Sequence, residues 1–315
     1  MNGSVPEVQI IKPFQDAFEL MKKILFQPFN LGKWCVLGFA AFLSGHVSAG
    51  GFNFPFGGFP SQHRNENLVS SDWEEWKPLL PIAIAICAVL ILALIILFSW
   101  LKARGNFIFT DCLARNRAAI VDPWREYRRE ANSYFLFLLL VMLGAMALFG
   151  LVALIVLIPL GLFSQGLSND IMTPLFVVFL VLLFLVWICC GIFFAVTTYF
   201  MVPLMFVRRC RAVDAFRQVV RLIVENAGSF VLFFLFGICL LFGAGIISGI
   251  ATCATCCLAA LPYVGTVILL PVFVCLRAYG LLFIRQFGPD YDVWSAIAQA
   301  TPANAAPEPP PAPTA

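Results

Sequence analysis

The densest group of polar side chains in the chain lies between residues 104 and 129. Four arginines in it are suited to hold a phosphate group, because a guanidinium presents planar, paired N–H donors: Arg104, Arg115, Arg117 and Arg128. The same stretch holds four residues that could instead form a structural polar cluster: Asp111, Asp122, Trp124 and Tyr127. Asp111 and Arg115 are four residues apart, so they can pair on one face of a helix. The stretch therefore fits either a lipid-headgroup site or a network of structural ion pairs, and the ion-pair interpretation is favoured.

The cysteines offer a second kind of chemistry. Eight of the 11 are scattered in or beside apolar stretches, where cysteine behaves as a small apolar residue. The other three, Cys253, Cys256 and Cys257, are close together in a segment predicted to face the outside. In an oxidising compartment they could form a disulfide with one another or serve a thiol relay. The favoured interpretation is that they are small residues in a turn.

Other catalytic constellations are absent from the sequence. The chain has two histidines and contains neither an HExxH nor a GxSxG motif, so the zinc-protease and serine-hydrolase patterns are missing. We therefore predict no catalytic residue, no metal ligand and no cofactor. The expected partners are membrane lipids and other membrane proteins, and nucleic acid is not expected.

The composition predicts the elements that must position these residues. Hydrophobic residues make up 61% of the chain and charged residues 12%, whereas a soluble domain is about half apolar and about a quarter charged. The clearest apolar run, residues 78–101, has no charge and is long enough to cross a bilayer. We predict an all-α membrane helix bundle with about six transmembrane helices, at residues 33–49, 78–101, 134–163, 174–207, 229–250 and 263–284. Pro271 is expected to kink the sixth.

The distribution of basic residues predicts the orientation. Eighteen of the 20 lysines and arginines fall in four segments on one side of the predicted spans, and the remaining two lie in the 50–77 loop. Because cytoplasmic loops of membrane proteins are enriched in lysine and arginine, both termini are expected in the cytoplasm. The predicted location is the inner membrane of a bacterium.

Three of the basic segments share a pattern, namely an acidic residue, then alanine or proline, then an aromatic residue. The pattern occurs at residues 16–18, 122–124 and 214–216. Each is expected to continue as an amphipathic helix in the plane of the cytoplasmic leaflet, the first of them within residues 1–32. In the third helix, the predicted apolar face is Val213, Phe216, Val220 and Ile223. Residues 33–285 are then the membrane domain, and residues 286–315 are predicted to be a disordered, Ala/Pro-rich tail.

Residues 104–127, with the later motifs Val202-Pro203-Leu204, Ala215-Phe216 and Asn226 to Phe230, resemble uncharacterised bacterial polytopic membrane families. More loosely, they are similar to the membrane domain that accompanies some glycerophosphodiester phosphodiesterases. That resemblance implies a membrane protein without assigned activity, because the catalytic barrel is absent here. The predicted function is thus a non-enzymatic membrane protein that handles lipid or supports a membrane assembly. Two alternatives stay open, a transporter or channel lined by Thr197, Thr198 and Tyr199, and a periplasm-facing thiol–disulfide protein.

Overall fold

A computed structural model describes residues 8–45, 80–163, 169–255 and 261–300, and almost all of them are helical. Within these ranges there is no β-strand. Eleven α-helices occur there: α1 (Ile11–Phe26), α2 (Leu31–Leu43), α3 (Leu80–Ala114), α4 (Val121–Glu126), α5 (Arg128–Phe163), α6 (Asn169–Arg208), α7 (Ala212–Glu225), α8 (Ala227–Ala254), α9 (Pro262–Ile268), α10 (Leu270–Arg285) and α11 (Val293–Ala300). A short 3-10 turn, Pro289–Tyr291, precedes α11.

Four of these helices, α3, α5, α6 and α8, are long and apolar enough to cross a membrane. Their large apolar side chains are exposed along most of their length, as with Leu90 at 59% and Phe242 at 72%. Such a surface is unfavourable in water and suits hydrocarbon, where a helix also satisfies every backbone N–H and C=O internally. The all-α prediction is therefore confirmed for the described residues.

The structure contains fewer long apolar helices than the six predicted spans. The first predicted span corresponds to α2, whose 13 residues rise by about 20 Å, against a hydrocarbon core of about 30 Å. The sixth is divided into α9 and α10, and the break at Leu269 falls two residues before Pro271. A proline near a helix start is tolerated because its missing N–H has no partner to lose there. Length and composition thus support four spans.

The helices repeat in three units, each made of a short helix, an outgoing helix and a return helix. The units are α1–α3, α4–α6 and α7–α10. Each short helix packs against the return helix of the preceding unit: α4 against α3, α7 against α6, and α1 against α10, so that the order closes into a ring. A residue with positive φ follows each return helix, namely Asn116 at φ 51°, Arg209 at φ 50° and Gly288 at φ 131°. The φ values of Asn116 and Arg209 match the left-handed residue that commonly terminates a helix, whereas Gly288 has ψ 170° and an extended backbone.

The buried core lies where the basic segments gather, which we call the basic end. It consists of two clusters, one mainly from α5, α6 and α7 and the other mainly from α1, α2 and α10, with the last turns of α3 contributing to both. Gly105 allows α3 to approach α2 closely, since a Cβ there would lie 2.3 Å from the carbonyl carbon of Leu43. The three return helices meet at Arg277, whose Nη2 donates a hydrogen bond to Thr110 at 2.8 Å and whose guanidinium lies 5.2 Å from the centre of the Tyr199 ring.

Helices occur at the three patterned segments, and in α7 the buried face differs from the predicted apolar face. In α7 the buried stripe is Ala212, Ala215, Val219, Leu222 and Ile223, and it packs on the protein rather than on lipid. The predicted stripe, Val213, Phe216, Val220 and Ile223, is therefore shifted by one residue except at Ile223, and Val213 is 48% exposed. Small residues bring the buried stripe close to α6, since Ala212 and Ala215 leave room for neighbouring backbone.

The C-terminal region also differs from the prediction. Disorder was expected over residues 286–315, yet residues 289–300 form the 3-10 turn and α11, which packs against α3 and α6. Val293 is fully buried there, and Asp292 is 3.0 Å from Arg285. Asp292-Val293-Trp294 resembles the pattern of the three other short helices, with valine in place of alanine or proline. The end of the predicted tail, residues 301–315, lies outside the described residues.

Candidate functional site

The predicted polar stretch divides into two parts, and the first is a network of ion pairs around Asp111. The Asp111 side chain is fully buried at the end of α3, and its two oxygens are 2.9 Å from Arg115 Nε and 3.0 Å from Arg117 Nε. Arg115 also donates to Glu126 at 3.0 Å. The more exposed Asp122 is 3.7 Å from Arg117. We call these residues, together with Arg209, the carboxylate network.

Arg209 joins the network from the end of α6. Its guanidinium pairs with Glu126 and lies 3.9 Å from the centre of the Tyr127 ring. Partial burial opposes ionisation of Glu126, but the hydrogen bond from Arg209 and the charges of Arg115 and Arg209 outweigh it and lower the pKa of its carboxyl group. Burial raises the pKa of Tyr127, which stays neutral and packs its ring on Phe206 at 4.7 Å.

Arg115 and Arg117 therefore have protein carboxylates as partners. This arrangement supports the structural alternative for these two arginines and for Asp111, Asp122 and Tyr127. Removing one member of such a network leaves charge without compensation, which is costly in a partly buried position. The network ties α3 and α4 to the end of α6.

The second part surrounds Arg104, and we call it the Arg104 site: Trp100, Arg104, Trp124, Arg128 and Asn132. Arg104 is only 5% exposed. Its guanidinium lies 4.5 Å from the centre of the Trp100 ring and 4.7 Å from that of Trp124. Its Nη2 donates to Asn132 Oδ1 at 3.0 Å, and the Trp100 indole N–H donates to the same oxygen at 3.2 Å. Trp124 thus belongs here rather than to the carboxylate network.

The Arg104 site has no carboxylate among the residues that the structure describes. The charged side chain that acts on Arg104 is a second cation, Arg128. Arg128 starts α5, and Asn132 lies one turn later on the same face of that helix. The buried Nε of Arg104 has no hydrogen-bond partner. Two neighbouring cations without a counter-charge can bind an anion.

Exposed stripes on α1 and α7 form a third feature of the basic end. On α1, Ile11, Phe18 and Phe26 are exposed on one side of the helix together with Lys22, whose Nζ lies 4.7 Å from the centre of the Phe18 ring. On α7, Val213 and Val224 are exposed on one side together with Arg217. Each stripe lies beside the buried face of its helix, and each combines apolar side chains with a basic one.

The remaining predicted site residues are the hydroxyl-bearing residues 197–199 and the three outer cysteines. The hydroxyls of Thr197 and Thr198 donate to carbonyl oxygens of their own helix, and Tyr199 donates to the carbonyl oxygen of Leu276 at 3.1 Å. The hydroxyl groups of these three residues thus donate their hydrogen bonds to backbone carbonyl oxygens. Cys253 is exposed near the end of α8 as a free cysteine. Cys256 and Cys257 lie outside the described residues, so the disulfide stays a prediction.

Sequence reasoning missed Arg209 and Asn132 as parts of these sites. Arg209 is 83 residues from Glu126 along the chain, so only the closure of the helices brings them together. Asn132 looks like an ordinary helix residue in sequence. Its distance of four residues from Arg128 was the available signal, because that spacing places both side chains on one helix face.

The long helices with exposed apolar side chains define the class of protein: a helical integral membrane protein. The chain belongs to a family of unknown function, DUF7544, whose model matches residues 8–285. This match confirms the predicted membership of an uncharacterised family. Neither a curated protein nor a solved structure matches the chain. The similarity to the membrane domain that accompanies some glycerophosphodiester phosphodiesterases stays a prediction.

Proposed function

We propose that this protein is a non-enzymatic protein of a bacterial inner membrane that binds anionic lipids at its basic end. In this proposal six segments enter the membrane, four of them as long spans and two as the shorter α2 and α9–α10. Both termini then face the cytoplasm. The observation that carries the proposal is the pair of exposed stripes on α1 and α7.

Each stripe fits the boundary between hydrocarbon and headgroups. A helix at this boundary needs apolar side chains toward the acyl chains and basic ones toward anionic headgroups. Phe18 and Phe26 on α1, and Val213 and Val224 on α7, supply the apolar part. The four long helices of the same molecule also expose apolar surface.

The basic residues in the stripes are available to headgroups. Within the described residues, neither Lys22 nor Arg217 has a carboxylate within ion-pair distance. Arg221 on the same helix as Arg217 differs, because its Nε is 2.8 Å from Glu225. A basic side chain near an anionic leaflet contributes about 1 kcal/mol to association, which corresponds to about fivefold in affinity.

Native mass spectrometry of protein released from mild detergent tests the proposal. The wild-type chain is expected to retain phosphatidylglycerol in preference to phosphatidylcholine. The double variant Lys22→Gln with Arg217→Gln is expected to weaken this retention by at least tenfold. Arg221→Gln is the matched control, since its charge is already paired. Equal retention of phosphatidylglycerol and phosphatidylcholine by the wild-type chain would contradict the proposal. So would equal retention of phosphatidylglycerol by the double variant and by the control.

Labelling of single cysteines tests the orientation. Lys12→Cys on α1 and Ser295→Cys on α11 lie at the two ends of the described chain. In a chain whose 11 native cysteines are replaced by serine, both introduced cysteines are expected, in intact spheroplasts, to react with an impermeant maleimide only after the membrane is permeabilised. Labelling of either one before permeabilisation would place that terminus outside.

A supporting role in a membrane assembly is compatible with the same proposal, because the exposed faces of the long helices can contact other membrane proteins. The transporter alternative draws no support from Thr197, Thr198 and Tyr199, whose hydroxyls bond to backbone. A co-purifying protein without a specific lipid would favour the assembly role. Thiol labelling from outside that is unchanged by reductant would rule out the thiol–disulfide role.

A further inference from the structure

The Arg104 site carries a more specific inference, which rests on the proposal that the basic end meets the anionic leaflet. Arg104 is more than nine-tenths buried, yet its guanidinium contacts two indoles and one amide rather than a carboxylate. A buried charge without a counter-charge is strongly unfavourable. Among the described residues no carboxylate balances the charge of Arg104, and an anion bound beside it would do so.

The nearby carboxylates are already engaged. Asp111 and Glu126 serve the carboxylate network, and Glu130 is 3.9 Å from Arg209. Arg128 lies one turn before Asn132 on the same face of α5, and Asn132 accepts a hydrogen bond from Arg104 at 3.0 Å, so a second positive charge stands on this side of Arg104. A ligand that satisfies both arginines must bring its own negative charge.

The level of the site in the molecule indicates which anion it takes. Trp100 ends the uncharged run of α3, and Lys102 follows it. Indoles concentrate at the membrane–water interface, at the depth of lipid headgroups. One turn toward the apolar side, Leu97 on α3 and Leu136 on α5 are 52% and 55% exposed, so acyl chains can lie against them.

We infer that the Arg104 site binds the phosphate of one anionic phospholipid. The guanidinium of Arg128 holds the phosphate oxygens from the exposed side, since arginine matches phosphate geometry with paired donors. Arg104 supplies the second positive charge from the buried side, where the indoles and Asn132 hold it in place. The acyl chains then run along the exposed faces of α3 and α5.

Substitution of Asn132 by aspartate provides the sharpest test, because it changes charge with almost no change in shape. Asn132→Asp gives the protein its own carboxylate 3.0 Å from Arg104 and one turn from Arg128. The internal ion pair then replaces the lipid phosphate, so the tightly bound lipid is lost while the protein stays folded. Asn106→Asp is the matched control, with the same charge change on another face of α3.

The assay is native mass spectrometry with phosphatidylglycerol as the probe, counting lipids that survive increasing collision energy. The wild-type chain and Asn106→Asp are expected to keep one phosphatidylglycerol that Asn132→Asp loses, with at least a tenfold decrease in its occupancy. Arg128→Gln is expected to lose it too, whereas Arg129→Gln keeps it. Retention of this lipid by Asn132→Asp and by Arg128→Gln would overturn the inference.

Two further readouts separate the alternatives. Inorganic phosphate is added as a competitor, and displacement of the lipid by millimolar phosphate would overturn the lipid assignment in favour of a soluble phosphate ligand. The Lys22→Gln, Arg217→Gln variant lowers the number of loosely bound anionic lipids but keeps the tight one. If the Lys22→Gln, Arg217→Gln variant loses the loosely bound lipids while Asn132→Asp keeps the tightly bound one, the proposed function stands and the Arg104 site is rejected.

Discussion

Gly105 provides the most direct test of how the basic end is held together. It lies beside Arg104, at the place where α3 crosses closest to α2. A Cβ at this position would be 2.3 Å from the carbonyl carbon of Leu43 and 2.5 Å from the backbone nitrogen of Ser44. Ordinary van der Waals contact begins at 3.4 Å, so the Gly105→Ala variant must move α2 away from α3 by about 1 Å.

The expected cost follows from what the new methyl group meets. Overpacking in a well-packed core typically costs about 1–3 kcal/mol, and here the neighbour is backbone that cannot rotate away as a side chain can. Alanine recovers up to about 1 kcal/mol of helix propensity relative to glycine. We therefore expect Gly105→Ala to lower the free energy of unfolding by about 2 kcal/mol.

Gly144 on α5 is the matched control, because a Cβ there has no atom within 4 Å in the described part of the chain. Gly144→Ala is expected to change stability by less than about 1 kcal/mol. Unfolding by sodium dodecyl sulfate in mixed micelles, followed by circular dichroism, compares the two variants with the wild type. Identical midpoints for Gly105→Ala and Gly144→Ala would refute the close approach of α2 and α3.

Three further predictions concern charge and the C-terminal helix. The fold lowers the pKa of Glu126 below its usual 4.5, so its ionised form stabilises the fold above that pH. This stabilisation is lost as the pH falls through the lowered pKa. The melting temperature of Glu126→Gln should therefore depend less on pH between 5 and 3 than that of the wild type. Thr110→Val should cost about 1–3 kcal/mol by removing a hydrogen bond to a buried guanidinium, whereas Arg277→Met should be neutral or stabilising. A chain that ends at Phe287 should melt at a lower temperature than one that ends at Ala300, because it lacks α11.

Each of these predictions has an outcome that would contradict it. An equal pH dependence for wild type and Glu126→Gln would show that the carboxylate network does not depend on that charge. Strong destabilisation by Arg277→Met would show that the contacts of Arg277 with Thr110 and Tyr199 outweigh the cost of burying its charge. Equal melting of the two shortened chains would mean that α11 contributes nothing to stability.

The long apolar helices were predictable because hydrocarbon imposes a simple rule: a span needs a run of apolar residues without charge. That rule says little about where a helix ends. α3 continues for 13 residues beyond the predicted end at residue 101, since charged residues such as Lys102 and Arg104 do not break a helix. The first predicted span, residues 33–49, has only 17 residues, the lower end of what a bilayer crossing needs.

The packing of the amphipathic helices was harder to predict, because they are apolar over a wide arc. In α7 both the stripe through Val219 and the stripe through Val220 are apolar, and the sequence does not say which one meets the protein. The C-terminal helix was missed for another reason. Asp292-Val293-Trp294 has valine where the three upstream segments have alanine or proline, and the Ala/Pro-rich residues that follow it favour disorder.

The arginines of the polar stretch differ in whether protein carboxylates balance their positive charge. Their position along α3 explains the difference. Arg115 and Arg117 lie at and beyond the end of α3, where Asp111 and Glu126 can reach them. Arg104 lies seven residues before Asp111, which is about 10 Å toward the apolar part of the same helix. A carboxylate placed there by the protein would itself have to be desolvated, whereas a phospholipid carries its phosphate at that level at no such cost. The change from compensated to uncompensated arginines thus follows the helix from its charged end toward its apolar part, and under the lipid proposal it explains why an anionic lipid is expected at Arg104 and not at Arg115.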